Sequence, residues 1–158
     1  MKTLQMKKLT VEQEIKKLPI SYIGGNFKAW FYPLPFSEGK TKSLFFKKLP
    51  RYMNDVEIQK ELNPGEVSIK EVFETLKTIN KDVWALFYCK DKGGVLRAVR
   101  VVWGGDGWGA LASALDVYRW HVDHRVFSRN SFDTLTPVPL EPSLPSELTI
   151  NGVIYKRQ

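Results

Sequence analysis

The sequence predicts an α+β fold: an antiparallel sheet formed as a meander around residues 82–113, one main amphipathic helix over 69–80 packed on a face, and a C-terminal β-hairpin over 147–156. Three observations predict it. "SIKEVFETLKTIN" repeats apolar residues at helical spacing through Ile69, Val72, Phe73, Leu76 and Ile79. "DVWALFYCK" is apolar on both alternating faces, as a strand covered on both sides must be. "ELTINGVIYK" sets Asn151-Gly152, the favoured dipeptide of a type I′ turn, between two alternating runs. The linking stretches DKGG and DG are far shorter than a parallel crossover requires, which favours antiparallel neighbours.

In chain order, Thr10 with Gln13 forms a capping-box pattern for a short helix that Pro19 ends. Residues 20–50 read as strands and turns. They are rich in β-branched and aromatic residues, are broken by Gly24-Gly25, and include "SLFFKKLP" as a second strand. Asn54 with Glu57 repeats the capping pattern ahead of a short helix closed by Pro64-Gly65, and Ser68 with Glu71 does so for the main helix. "VLRAVRVVW" runs back beside "DVWALFYCK"; Arg97 and Arg100 have opposite parity in it, so at most one faces the core. "GGDGWG" reads as a tight turn because it lacks the Walker pattern; the run after it favours a third strand at 108–113, although "ALASALDVY" also has helical spacing through Leu111, Leu115 and Tyr118. "RVFS" is a short strand. Pro137, Pro139, Pro142 and Pro145 make 133–146 an extended segment.

A length of 158 residues suits a single domain over 1–158, with a lysine-rich N-terminal third (1–51). No run approaches the roughly 18 apolar residues of a membrane span, and the charged start lacks the apolar core of a secretory signal. Cys89 is the sole cysteine, so an intramolecular disulfide and a cysteine-rich zinc site are excluded and a reducing, cytoplasmic setting is expected. Cys89 also falls in an apolar strand, where burial keeps a thiol inert.

Charge is distributed unevenly. Residues 1–50 hold ten lysines against three glutamates, which accounts for the whole net +7; residues 51–158 hold fourteen charges of each sign. This asymmetry points to an anionic partner, although lysines also coat ordinary soluble surfaces.

Both histidines lie in "RWHVDHRVFSRN". A metal site on His121 and His124 would need further ligands, carboxylates such as Asp106, Asp116 or Asp133 or residues from far away; HxxH is a weak signal, and no metal and no cofactor is expected. As an enzyme, the chain would be a small phosphodiesterase or nuclease, with His121 or His124 moving the proton, Asp123 orienting it and arginines holding the phosphate. The favoured reading is non-catalytic binding of an anionic polymer, most simply single-stranded or structured nucleic acid. Lys28, Lys40, Lys42, Lys47, Lys48 and Arg51 would supply general attraction. Arg119, Trp120, Arg125 and Arg129 would add phosphate contacts and stacking. A protein-interaction module, such as a phage- or host-derived inhibitor docking an acidic protein, is the remaining alternative.

Overall fold

The structure, a computed structural model, describes residues 9–36 and 43–132. The expected hairpin over 147–156 and the extended segment 133–146 lie outside the described residues, as do Lys40 and Lys42.

The described chain runs α1 (Val11–Ile15), β1 (Ile20–Ile23), α2 (Gly25–Phe31), β2 (Phe45–Lys48), β3 (Met53–Asn54), α3 (Asp55–Glu61), α4 (Ile69–Leu76), β4 (Trp84–Lys90), β5 (Leu96–Trp103), β6 (Trp108–Ser113), β7 (Arg119–Trp120) and β8 (His124–Ser128). Six strands form one sheet in the order β1-β6-β5-β4-β8-β2, and β3 pairs with β7 in a separate ribbon. The α+β class and the antiparallel β4-β5-β6 meander agree with the sequence reading. The sheet as a whole is mixed, not antiparallel: β1 lies parallel to β6, and β8 parallel to β4. Short links constrain only consecutive strands. β1 and β6, like β4 and β8, are separated by several intervening elements, which supply the length a parallel crossover needs.

Four helices are present among the described residues: α1, α3 and α4 lie where the sequence predicts helices, and α2 is additional. All three capping boxes form, at Thr10/Gln13, Asn54/Glu57 and Ser68/Glu71. The helix α4 ends at Leu76, short of residue 80, and the chain continues as hydrogen-bonded turns in which Thr78 and Ile79 bond back to Thr75. The segment read as strand and turn after Gly24-Gly25 is instead α2. Its Phe27 and Phe31, four apart, both point into the core, so helical spacing overrides the β preference of aromatic residues.

The sheet is covered on both faces. On one, Val11, Phe27, Phe31, Val72 and Phe73 from α1, α2 and α4 pack on Ala85, Phe87, Val99 and Val101. On the other, Leu49, Met53, Ile58 and Leu62 pack on Leu86, Tyr88, Ala98 and Val126. The alternation read from "DVWALFYCK" is thus the partition between the two cores. At the β1 edge, Gly107 is required by crowding: a Cβ there would stand 2.8 Å from Ser21 Cβ and 2.9 Å from Ser21 N.

Two buried carboxylates tie the layers together. Asp55, fully buried at the first turn of α3, accepts hydrogen bonds from Tyr88 Oη (2.6 Å), Trp120 Nε1 (2.8 Å) and the Asp116 amide (2.7 Å). Burial, followed by the charge of Asp55, holds the Tyr88 hydroxyl well above its ordinary pKa, so it remains a donor. The carboxylate of Asp116 in turn accepts from the Val56 amide at 3.0 Å. The second carboxylate, Glu71, caps α4 and receives Arg129 through Nη2 at 2.6 Å and Nε at 2.8 Å. Burial pushes the Glu71 carboxyl up, but hydrogen bonds from Arg129 and Ser68 outweigh it and leave its pKa below the usual range. The contribution of Glu71 is therefore present above its unfolded-state pKa and is lost as pH falls through the lower folded value.

Asp55→Ala is expected to cost about 3 kcal/mol, since two buried donors and one partly buried amide lose their acceptor at roughly 1 kcal/mol each. Urea denaturation measures this. Asp106→Ala, at an exposed turn, is the reference and is expected to stay within about 0.5 kcal/mol.

Candidate functional site

Strand parity sends the two arginines of β5 to opposite faces. Arg97 goes to the face carrying α2, where it bonds Asp91 at 2.8 Å and lies 3.8 Å over the Trp30 ring. Arg100 goes to the face carrying α3, where it is half-buried beside Leu86. It lines a cleft of about 370 Å³ and has no hydrogen-bond or ion-pair partner among the described residues.

The floor of the cleft comes from central strands: Trp84 on β4, Arg100 on β5, Leu111 and Ser113 on β6. Its wall is the stretch from Tyr118 through His121, together with His124. Aromatic rings meet there at close range. His121 lies 4.9 Å from Trp84 and 5.2 Å from His124, while His124 sits edge-on to Trp84 and Trp120 at 5.3 Å each. The Trp120 indole is held by Asp55, so the wall is anchored to the carboxylate that joins α3 to the sheet.

The state of His124 follows from its contacts. Its Nδ1 is 3.2 Å from the His121 carbonyl oxygen. A carbonyl only accepts, so Nδ1 carries the hydrogen and Nε2 presents a lone pair. That Nε2 is buried without a partner, and so is Ser113 Oγ; both residues line this cleft. The residue is 3% exposed. Burial brings its pKa down to about 4, with the neighbouring charge of Arg100 adding to the fall against the bond to His121.

The binding residues expected from sequence do not gather in one place. Arg119 and Trp120 belong to the cleft wall; Arg119 also donates to the Tyr52 carbonyl at 3.2 Å and stands 3.6 Å from Glu57. Arg51 makes a two-pronged bond to Glu61 at 2.9 and 2.6 Å, and Arg129 is held by Glu71. Lys47, Lys48 and Arg125 share the β2–β8 edge, with Lys48 directly opposite Arg125 and the latter's guanidinium 5.0 Å over Phe46. Lys28 lies on α2, which packs on β6 towards the other end of the sheet.

For the acid–base alternative, Asp123 is exposed. Its amide donates to His121 Nδ1 at 3.3 Å and its carboxylate stands 3.7 Å from the same nitrogen. His124 is oriented by a carbonyl instead of a carboxylate. Among the described residues no three His, Cys, Asp or Glu side chains converge as metal ligands would, and no helix is long and apolar enough to cross a membrane. The Cys89 thiol is buried, and burial holds its pKa well above the ordinary value.

Sequence reasoning did not select Trp84, Arg100 or Ser113 as site residues. The available signal was parity: Arg100 shares the side of Ala98, in a strand flanked by neighbours on both edges. Comparison with protein-family models, with curated proteins and with solved structures finds no match to this chain.

In an NMR titration His124 is expected to stay neutral until about pH 4. Its unfolded counterpart protonates near the ordinary value of 6.5, so the unfolded state binds the proton first. The contribution of His124 to stability should therefore fall as pH drops from about 6.5 to about 4, and His124→Phe should flatten that part of the stability profile.

Proposed function

We propose that this protein is a non-catalytic binding domain for an anionic polymer, single-stranded nucleic acid, and that the cleft beside Arg100 seats one of its nucleotides. The observation that carries the reading is the chemistry of the cleft: a guanidinium with no carboxylate partner among the described residues, on a floor shared with Trp84 and walled by Tyr118, Trp120 and His121. A guanidinium grips phosphate through its planar fork, and exposed rings stack on unpaired bases for about 1–3 kcal/mol each. Tyr118 offers such a ring, being 55% exposed. Lys47, Lys48 and Arg125 at the sheet edge, beside exposed Phe45 and Phe46, would add attraction that does not depend on sequence.

The hydrolytic alternative has one observation in its favour, a histidine among the residues of the same cleft whose Nε2 lone pair has no partner among the described residues. The same binding assay separates the two, since the binding reading expects the oligonucleotide to remain intact.

Fluorescence anisotropy with a labelled single-stranded oligonucleotide at low salt should show binding that weakens steeply as salt is raised. Arg100→Gln and Tyr118→Ala should each weaken it about tenfold. Arg51→Gln should leave it within about twofold, because Glu61 and Glu57 already engage that charge. No binding at low salt, or an affinity indifferent to salt, would overturn the reading.

A further inference from the structure

The strand β2 is one edge of the six-stranded sheet: β8 pairs with one side of it, and no strand among the described residues pairs with the other. All four of its residues are exposed. Register shows which backbone groups face the open side. The Leu49 amide donates to the His124 carbonyl at 3.1 Å, which puts Leu49 in a hydrogen-bonded position opposite β8. Opposed residues of an antiparallel pair alternate between bonded and non-bonded positions. Phe45 and Lys47 therefore bond to β8, while the N–H and C=O groups of Phe46 and Lys48 point outward, placed to take another strand.

On the face carrying α4, Phe46 packs against Phe127, and Lys48 stands directly opposite Arg125. Like charges opposed across two strands are destabilising, and neither cation has a carboxylate partner among the described residues. The Arg125 guanidinium leans over the Phe46 ring, towards the open edge. Between β2 and the end of α4 lies a cavity of about 500 Å³, whose lining includes Leu44, Phe46, Ile79 and Phe127 with Arg125 and Glu74. Glu74 is taken by Lys77 at 3.2 Å, so the charge on offer is positive.

Three kinds of occupant meet this edge differently. A second copy joining β2 to β2 would crowd Lys47 and Lys48 of both chains along one seam, the repulsion by which edge lysines prevent such pairing. A nucleic acid would meet the cations, but its sugar–phosphate backbone has no N–H for the outward carbonyls. An extended peptide satisfies both N–H and C=O, and an acidic one relieves the opposition of Lys48 and Arg125.

We propose that the free edge of β2 takes a segment of another protein as an added antiparallel strand, one with an acidic residue two positions before an apolar residue. Antiparallel pairing sets these two opposite Lys48 and Phe46. The acid meets Lys48 and Arg125, and the apolar side chain enters the cavity beside α4. The proposal rests on the strand edge and not on the nucleotide cleft, since Arg100 points from the opposite face of the sheet. An acidic strand seated there also takes the edge cations away from nucleic acid.

The test is an amide NMR titration of the full chain at low salt with the peptide acetyl-Thr-Glu-Thr-Leu-Thr-Thr-amide. The amides of Phe46 and Lys48 are expected to shift, and binding to weaken as salt is raised. Methylating the peptide nitrogens of Glu and Leu, which face β2, should abolish binding; methylating those of the threonines flanking Leu, which face away, should preserve it. Lys48→Glu, at an exposed side chain with no ion pair to lose, should weaken binding about tenfold, and a peptide with Lys in place of Glu should bind that variant more tightly than it binds wild type. Shifts that leave Phe46 and Lys48 out, or equal loss from both methylation patterns, would overturn the proposal. So would sedimentation of the protein alone as a dimer with these two amides protected from exchange, which gives the edge to a second copy. If a single-stranded oligonucleotide shifts these amides and the peptide does not, the edge belongs to nucleic acid and the proposal falls. Failure of the nucleic-acid reading, by contrast, leaves the peptide-induced shifts unchanged.

Discussion

The buried carboxylate of Asp55 is the constraint on which the second layer of this molecule rests. Three donors reach it from three places in the chain: a hydroxyl from the centre of the sheet, an indole from the β3–β7 ribbon and an amide from the turn at Asp116. No lysine or arginine shares it among the described contacts; its charge is met by oriented dipoles, including the first turn of α3. Satisfied in this way, a buried acid specifies a unique arrangement. The helix, the ribbon and the strand can close on it in one geometry, and any other leaves a polar group stranded in apolar surroundings.

That geometry determines what remains uncovered. The second layer reaches over Leu86, Tyr88, Ala98 and Val126 and stops there. Arg100, one step further along the same face of β5, is half-buried and lines the cleft. Three other arginines are absorbed into the architecture: Arg97 into the turn built around Asp91, Arg129 into the cap of α4, Arg51 against α3. A basic composition therefore says little about where positive charge is available to a partner. The carboxylates that face each guanidinium decide it, and among the described residues Arg100 and Arg125 have none, Arg125 lying over the Phe46 ring at the β2–β8 edge and Arg100 in the cleft.

Much of the fold was legible in the sequence because it is encoded locally. Each capping box requires two residues three apart, and Thr10/Gln13, Asn54/Glu57 and Ser68/Glu71 all close. The meander follows from tight turns, and the two cores follow from alternation in β4. What could not be read is non-local. Nothing within "ISYI" announces a parallel partner in β6, and nothing within "HRVFS" announces one in β4. The helix α2 was obscured for another reason: its aromatic residues favour strands, and only the burial of Phe27 with Phe31 reveals the helical period. The site shows the same division. Trp120, His121 and His124 stand together in sequence and were visible, whereas Trp84, Arg100 and Ser113 join them only through the sheet.

The cleft is assembled from two kinds of structure under different physical constraints. Its base consists of side chains on interior strands that also carry both cores, where exchange disturbs packing throughout the molecule. Its side is a short run of chain suspended from one carboxylate, with Val117, Tyr118 and Arg119 open to solvent. Residues in that run can vary while the suspension point holds. The architecture thereby separates the part that must be inherited unchanged from the part free to diversify, so that descendants of this chain could acquire new ligands by rewriting a few consecutive codons.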